Sequence, residues 1–177
     1  MLNDEQIDLW SLDECHFQQH GTRCRMWAPP EDKDPVVLHA PTRKSLALFG
    51  AVNFCTGQLV TMFCPVFDAD TFGAFLHVLA RHRRRRFSTV LVLDNAAYHH
   101  AADTSWSSFQ LDFLPPYSPK LNPIERVWKL LRRLATHNQY FETLEDLVVA
   151  VQGQIPQFQH PNPTLRNLCL GNLSCKN

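Results

Sequence analysis

STVLVLDNAAYHH, Ser88 to His100, decides what kind of sheet this chain can build. Val90 to Leu93 is a nearly continuous aliphatic run, the pattern of a strand covered on both faces rather than one. Strands of that kind pair in parallel, beneath helices. The run stops on an acid, Asp94, at the carboxyl end of its strand, which is where ligands collect in open α/β sheets.

Upstream the pattern is different. IDLWSLDECHF, from Ile7, predicts a first strand whose apolar run is interrupted by Asp13 and Glu14. RCRMWAPP, Arg23 to Pro30, predicts a hairpin partner closed by prolines, followed by a Pro- and charge-rich connection over 31–43. KSLALFGAVNF (44–54) and QLVTMFCPVF (58–67) predict two more strands, joined through the turn residues Thr56 and Gly57. The first part is therefore an antiparallel meander. Asp70 and Thr71 then introduce a helix carrying Phe72, Phe75, Leu76 and Leu79 at helical spacing, and RHRRRR (81–86) closes it, where cations suit the helix dipole.

Downstream of Asp94, a weak helical segment around 101–107 leads to a short strand in FQLDFLPPY. LPPYSPKLNPIERVWKLLRR, Leu114 to Arg133, follows as a proline-stiffened loop and a helix. Asn122 suits the N-cap, Pro123 the first helical position and Glu125 the third. Ile124, Val127, Leu131 and Leu134 predict the inward face of this helix. Thr143 and Asp146 form a capping box for a last helix through about Gln154, and the Pro- and Asn-rich tail from about 156 reads as irregular. The expectation is one α/β domain over 1–177, a mixed sheet flanked by helices.

Composition narrows the class. Lys plus Arg and Asp plus Glu each number 17, so any polyanion partner must be met by local clusters rather than by net charge. Six cysteines without a C-x-x-C pair, and no signal peptide, predict reduced, mostly buried thiols in an intracellular domain. His16, His20 and Cys24 lack the close ligand spacing of a zinc site, and no apolar run approaches the length of a membrane span.

Three acids stand where an acid needs a reason: Asp13 inside an apolar strand, Asp94 closing a buried one, Glu125 opening a helix. Burying a carboxylate alone costs several kcal/mol, and grouping three multiplies the repulsion unless a cation is present. Each also has a plain alternative: a strand end for Asp13, a turn start for Asp94, a helix cap for Glu125. Spacing leaves both sets open. The arginines at 81–86 suit DNA phosphates or a solvated helix end equally well, and Trp128 suits core packing better than base stacking.

The motifs together narrow the choice. DE at 13–14, W-A-P-P at 27–30, V-L-D-N-A-x-x-H at 92–99 and L-P-P-Y-S-P-x-L-N-P-I-E-R-V-W at 114–128 resemble the DDE transposases, in the bacterial insertion-sequence branch of the mariner superfamily. The resemblance implies a ribonuclease-H-like fold with Asp13, Asp94 and Glu125 as the metal-binding catalytic acids, 30 residues separating the last two. It implies two Mg²⁺ or Mn²⁺ ions, nicking of DNA at element ends, and attack of the freed 3′-hydroxyl on target DNA with no covalent protein–DNA intermediate. Asn95 and His99 match the motif, as residues that shape the site or touch DNA; Arg126, Arg83 and Arg84 join them as candidate DNA contacts. A homodimer acting on DNA in the bacterial cytoplasm, at the nucleoid, is the implied setting. The helix-turn-helix modules typical of the family have no counterpart in this sequence, which leaves three expectations open: a catalytic fragment, the second half of a split or frameshifted reading frame whose upstream half binds DNA, or a decaying copy. The alternative is an inactive DNA-binding or dimerisation remnant.

Overall fold

In the computed structural model, the described residues are 7–25, 27, 29–31, 36, 38, 40, 42–104, 107, 109–116 and 118–171. Five strands form one sheet: β1 (Ile7–Gln18), β2 (Ser45–Asn53), β3 (Leu59–Cys64), β4 (Ser88–Leu93) and β5 (Phe109–Phe113), in the order β3-β2-β1-β4-β5. The first three run antiparallel as a meander, and β4 and β5 continue the sheet parallel to β1. Five α-helices accompany it: α1 (Ala69–Ala80), α2 (Ala97–Ala101), α3 (Ile124–Ala135), α4 (Leu144–Gln154) and α5 (Pro163–Leu170). This is the mixed sheet that the buried β4 run and the preceding meander predict, and it has the ribonuclease-H-like form that the resemblance implies.

Side chains alternate across β1, and each set finds its own cover. Trp10 and Leu12 pack with Phe49, Phe72, Phe75, Leu76 and Leu79 beneath α1. Cys15 and Phe17 pack on the other face with Leu48, Ile124, Val127, Trp128 and Leu131 beneath α3, whose neighbours α4 and α5 extend that cover. Burial of the largest of these side chains stabilises the fold by about 2–3 kcal/mol each. β4 is covered on both faces: Leu91 and Leu93 belong to the α1 side, while Val90 meets Leu9, Phe54 and Leu170.

Several sequence expectations need correction. Residues 23–30 form no strand where they are described: β1 pairs instead with β2, and Thr22 makes a single bridge to His137. Met26, Ala28, Tyr117 and 172–177, which fall within the expected hairpin, the loop motif and the tail, lie outside the described residues, as does most of 32–41. The helix after Asp94 occupies 97–101 rather than 101–107, and α1 is capped by a reciprocal Asp68–Thr71 box one turn before its apolar stripe. Leu134 is exposed; Trp128 and Ala135 complete the inward face of α3. The tail is not irregular, because Asn162 caps α5 by accepting from the Leu165 N–H at 3.1 Å. Only two of the described cysteines, Cys15 and Cys169, are buried, with thiols pushed up to about 12 by burial; none forms a disulfide. No helix among the described residues is long and apolar enough to cross a membrane.

Candidate active site

Asp13 lies on the α3 face of β1, and the indole of Trp128 determines how it is held. Trp128 Nε1–H donates to Asp13 Oδ2 at 3.0 Å. The ring reaches that position because Gly50, opposite Asp13 on β2, has no side chain; a methyl group there would collide with the Trp128 six-membered ring. Burial, then the nearby charges of Glu14 and Glu125, push the Asp13 carboxyl up from 3.8 to about 7, and the indole only partly offsets them. A half-buried acid beside two further acids, with only neutral donors from the indole and the Glu14 backbone, is short of positive charge.

Asp94 follows the last residue of β4, and its Oδ1 accepts from the Ala96 N–H at 3.0 Å, so it starts a turn as well as ending a strand. The next residue, Asn95, donates from Nδ2 to the Leu114 carbonyl at 2.6 Å, tying the ends of β4 and β5 together. His99 is buried on α2, with Nδ1 3.1 Å from Asp94 Oδ1 and 3.2 Å from the Asp94 carbonyl, and Nε2 2.7 Å from Glu14 Oε1. Burial opposes a charge on His99, but the bond and charge of Glu14, helped by Asp94, lift its pKa above the ordinary value. Tyr98 also hydrogen-bonds Glu14, and its hydroxyl is pushed upward, first by burial and then by Glu14.

Glu125 enters in the first turn of α3, one position earlier than the sequence predicts. Pro123 is the cap residue, and no side chain on the helix itself caps it. Asn122 is buried and serves a different purpose. Its Oδ1 accepts from the Ser11 hydroxyl and its Nδ2 donates to the Leu12 carbonyl at 3.0 Å, while Ser11 Oγ accepts from the Ile124 N–H at 3.2 Å. The strand that carries Asp13 thus caps the helix that carries Glu125. Asn122 is the clamp.

Asp13, Asp94 and Glu125 line one cavity of about 470 Å³, together with Asn95, Ala96, Leu114, Pro115, Pro116, Ser118 and Asn122. The oxygen-only donor set of these three acids suits a hard divalent cation such as Mg²⁺ or Mn²⁺, and the raised Asp13 shows where its charge would be compensated. The residues present therefore fit the ions that the motifs imply. Among the described residues, Glu14, Asp94 and His99 form a tighter group, with donor atoms within 4.8 Å of one another.

The other candidates lie elsewhere. Arg126 donates to the Leu168 and Cys169 carbonyls at 2.9 and 3.3 Å, holding the end of α5. Arg83 donates to Thr89 Oγ1 at 3.0 Å and lies over the Phe109 ring, and Arg84 lies 3.8 Å over Phe87. These two precede β4 whereas Asp94 follows it, so the strand's length, roughly 20 Å, separates them from the cavity. Sequence reading missed Glu14 and Trp128 as site-building residues and gave Asn122 the role of a helix cap rather than of a tie to β1; the available signal was their position inside the motifs that contain Asp13 and Glu125.

Comparison with known proteins bears on the family and the fold. The family described as DDE superfamily endonuclease matches residues 8–148. An uncharacterised protein of Sinorhizobium fredii, y4pE/y4sA, is 32% identical over 102 residues, covering 57% of this chain and 76% of its own. The 39 kDa protein of insertion element IS630 from Shigella sonnei is 28% identical over 113 residues, covering 59% of this chain and 32% of its own. Among solved structures, the Mos1 mariner paired-end complex with Mn superimposes with a TM-score of 0.66 at 15% identity over 95% of this chain, and the pre-cleavage Mos1 transpososome with 0.65 at 16% over 94%. The chain spans about half the length of each Mos1 chain (53%), so these likenesses concern the fold of one part of those proteins. With the family match running from β1 into α4, the chain belongs to the DDE superfamily endonucleases.

Proposed function

We propose that this chain is the catalytic domain of an insertion-sequence transposase, cleaving DNA and transferring the freed strand with the help of divalent metal ions. One observation carries the reading: carboxylates from three separate elements line a single cavity, and the most buried of them has acids rather than cations as neighbours. Asp13, Asp94 and Glu125 would hold two Mg²⁺ or Mn²⁺ ions. Such ions, when bound, favour deprotonation of the attacking oxygen and offset charge on the leaving one.

The chain's own residues orient these ligands. Trp128 engages Oδ2 of Asp13, which lines the cavity. The turn at Ala96 gives Asp94 one backbone donor, and Asn122 sets the start of α3 so that Glu125 faces the same space. Pro115 and Pro116 stiffen the opposite wall. In the reaction, a water oxygen attacks phosphorus and the P–O3′ bond breaks, releasing a 3′-hydroxyl; that hydroxyl then attacks a phosphodiester of target DNA and displaces its 3′-oxygen. Transposon ends and target DNA are the partners, with a homodimer as the acting assembly at the bacterial nucleoid.

The test is nicking of an end-bearing DNA duplex by the purified chain, with the upstream half added in trans. Mg²⁺- or Mn²⁺-dependent cleavage is expected, reduced by more than about 100-fold in Asp94→Ala, since even outer partners of metal ligands contribute up to that factor. DNA binding without metal-dependent cleavage would instead identify an inactive remnant.

A further inference from the structure

Glu14 and His99 have no place in the cavity, yet they form the closest polar cluster attached to it. Glu14 follows Asp13 on β1 and so projects to the opposite, α1 face of the sheet, where its side chain is 9% exposed. There it meets His99 Nε2 at 2.7 Å and the Tyr98 hydroxyl. The imidazole is fully buried and wedged between Phe72 and Tyr98, at ring separations of 4.5 and 4.6 Å. Its Nδ1 faces the Asp94 carbonyl, which can only accept, so Nδ1 bears the hydrogen and is also within reach of Asp94 Oδ1 at 3.1 Å.

We propose that Glu14 and His99 are a positioning pair that fixes the Asp94 carboxylate from behind the sheet. The proposal rests on the reading of Asp94 as a metal-binding acid. Asp94 is half exposed and sits past the end of its strand, with one backbone donor of its own at Ala96, so its rotamer needs an outside constraint. His99 supplies one, and Glu14 aims the ring in turn, much as a carboxylate orients an imidazole behind a metal ligand. The adjacent acids Asp13 and Glu14 thereby divide their work between the two faces of one strand, the first lining the cavity and the second holding the acid beside it.

Mn²⁺ affinity measured by calorimetry separates this role from simple packing. His99→Ala is expected to weaken binding by roughly 10–100-fold, and Glu14→Gln by roughly 10-fold. His99→Asn, whose amide nitrogen stands near the place of Nδ1, should restore most of the loss; His99→Gln, whose amide stands near Nε2, should not. Equal behaviour of the Asn and Gln variants, or wild-type affinity in a folded His99→Ala, overturns the proposal. If His99→Ala does not fold, unchanged affinity in Glu14→Gln overturns it. A wild type whose Mn²⁺ binding is insensitive to Asp13→Asn would overturn the metal reading itself, whatever the His99 variants do.

Discussion

Asp8 and Asp13 lie five residues apart on the same strand, each accepts a hydrogen bond from a tryptophan indole, and they live in opposite electrostatic worlds. Asp8 is completely buried, and every donor around it points inward: Trp10 Nε1 at 2.9 Å, Asn53 Nδ2 at 2.7 Å and the Arg84 N–H at 3.4 Å. Asp13 has two neutral donors, the Trp128 indole and the Glu14 backbone, but two acids beside it, and its carboxyl is pushed up to about 7. A buried carboxylate surrounded by donors is a structural element of the core. One surrounded by its own kind is a vacancy in charge, and the chemistry of the site follows from that difference.

The largest expected effect tests the structural acid. Asp8→Ala strands two buried side-chain donors and the part-buried Arg84 N–H and should destabilise the protein by about 4 kcal/mol in urea unfolding, at about 1–3 kcal/mol for each unmet group with partial rescue by water. A loss below about 1 kcal/mol would remove the contrast between the two acids.

Asp13 should respond with the opposite sign. Below about pH 4 both folded and unfolded chains carry its proton, and it contributes nothing. Between there and pH 7 the unfolded chain releases the proton while the folded one keeps it, so the metal-free protein loses stability as pH rises, and the loss levels off above pH 7. The size is about 3 kcal/mol, three pKa units discounted for local relaxation. In chelator, Asp13→Asn should therefore gain on wild type as pH rises through this window; parallel pH profiles for the two proteins would refute the electrostatic reading. A smaller effect sharpens it. Trp128→Phe keeps most of the packing but removes the side-chain hydrogen-bond donor, costing about 2 kcal/mol at pH 8 and moving the midpoint of the Asp13 transition above pH 7.

The elements were more legible than the ties between them. Continuous apolar residues mark β4, and stripes at helical spacing mark α1 and α3, because burial on one or two faces leaves a period in the sequence. Asn162–Pro163 and Asn122–Pro123 show where that legibility stops. The two pairs are locally alike, yet Asn162 caps its helix and Asn122 instead bonds β1, 110 residues away. Its neighbour Ser11 does the capping. Trp128 likewise reads as core, and it is core, but its N–H finds Asp13 115 residues away. His99 and Glu14 are separated by 85. Such ties depend on which elements the fold brings together, and no local spacing encodes them. The supposed strand at 23–30 fails for a related reason: alternation allows a strand, but β2 already occupies the edge of β1 that a hairpin partner would need.

The most direct measurement is thermal unfolding of wild type and Asp13→Asn at pH 8, each with chelator and with saturating Mn²⁺. An ion bound by Asp13 with Asp94 and Glu125 should raise the wild-type Tm by roughly 5–10 °C at an ion concentration about 100-fold above its Kd. Asp13→Asn, already relieved of its unpaired charge, should melt higher than wild type in chelator and gain little from the ion. Equal Mn²⁺-induced shifts in the two proteins, or no shift in wild type, would contradict the account.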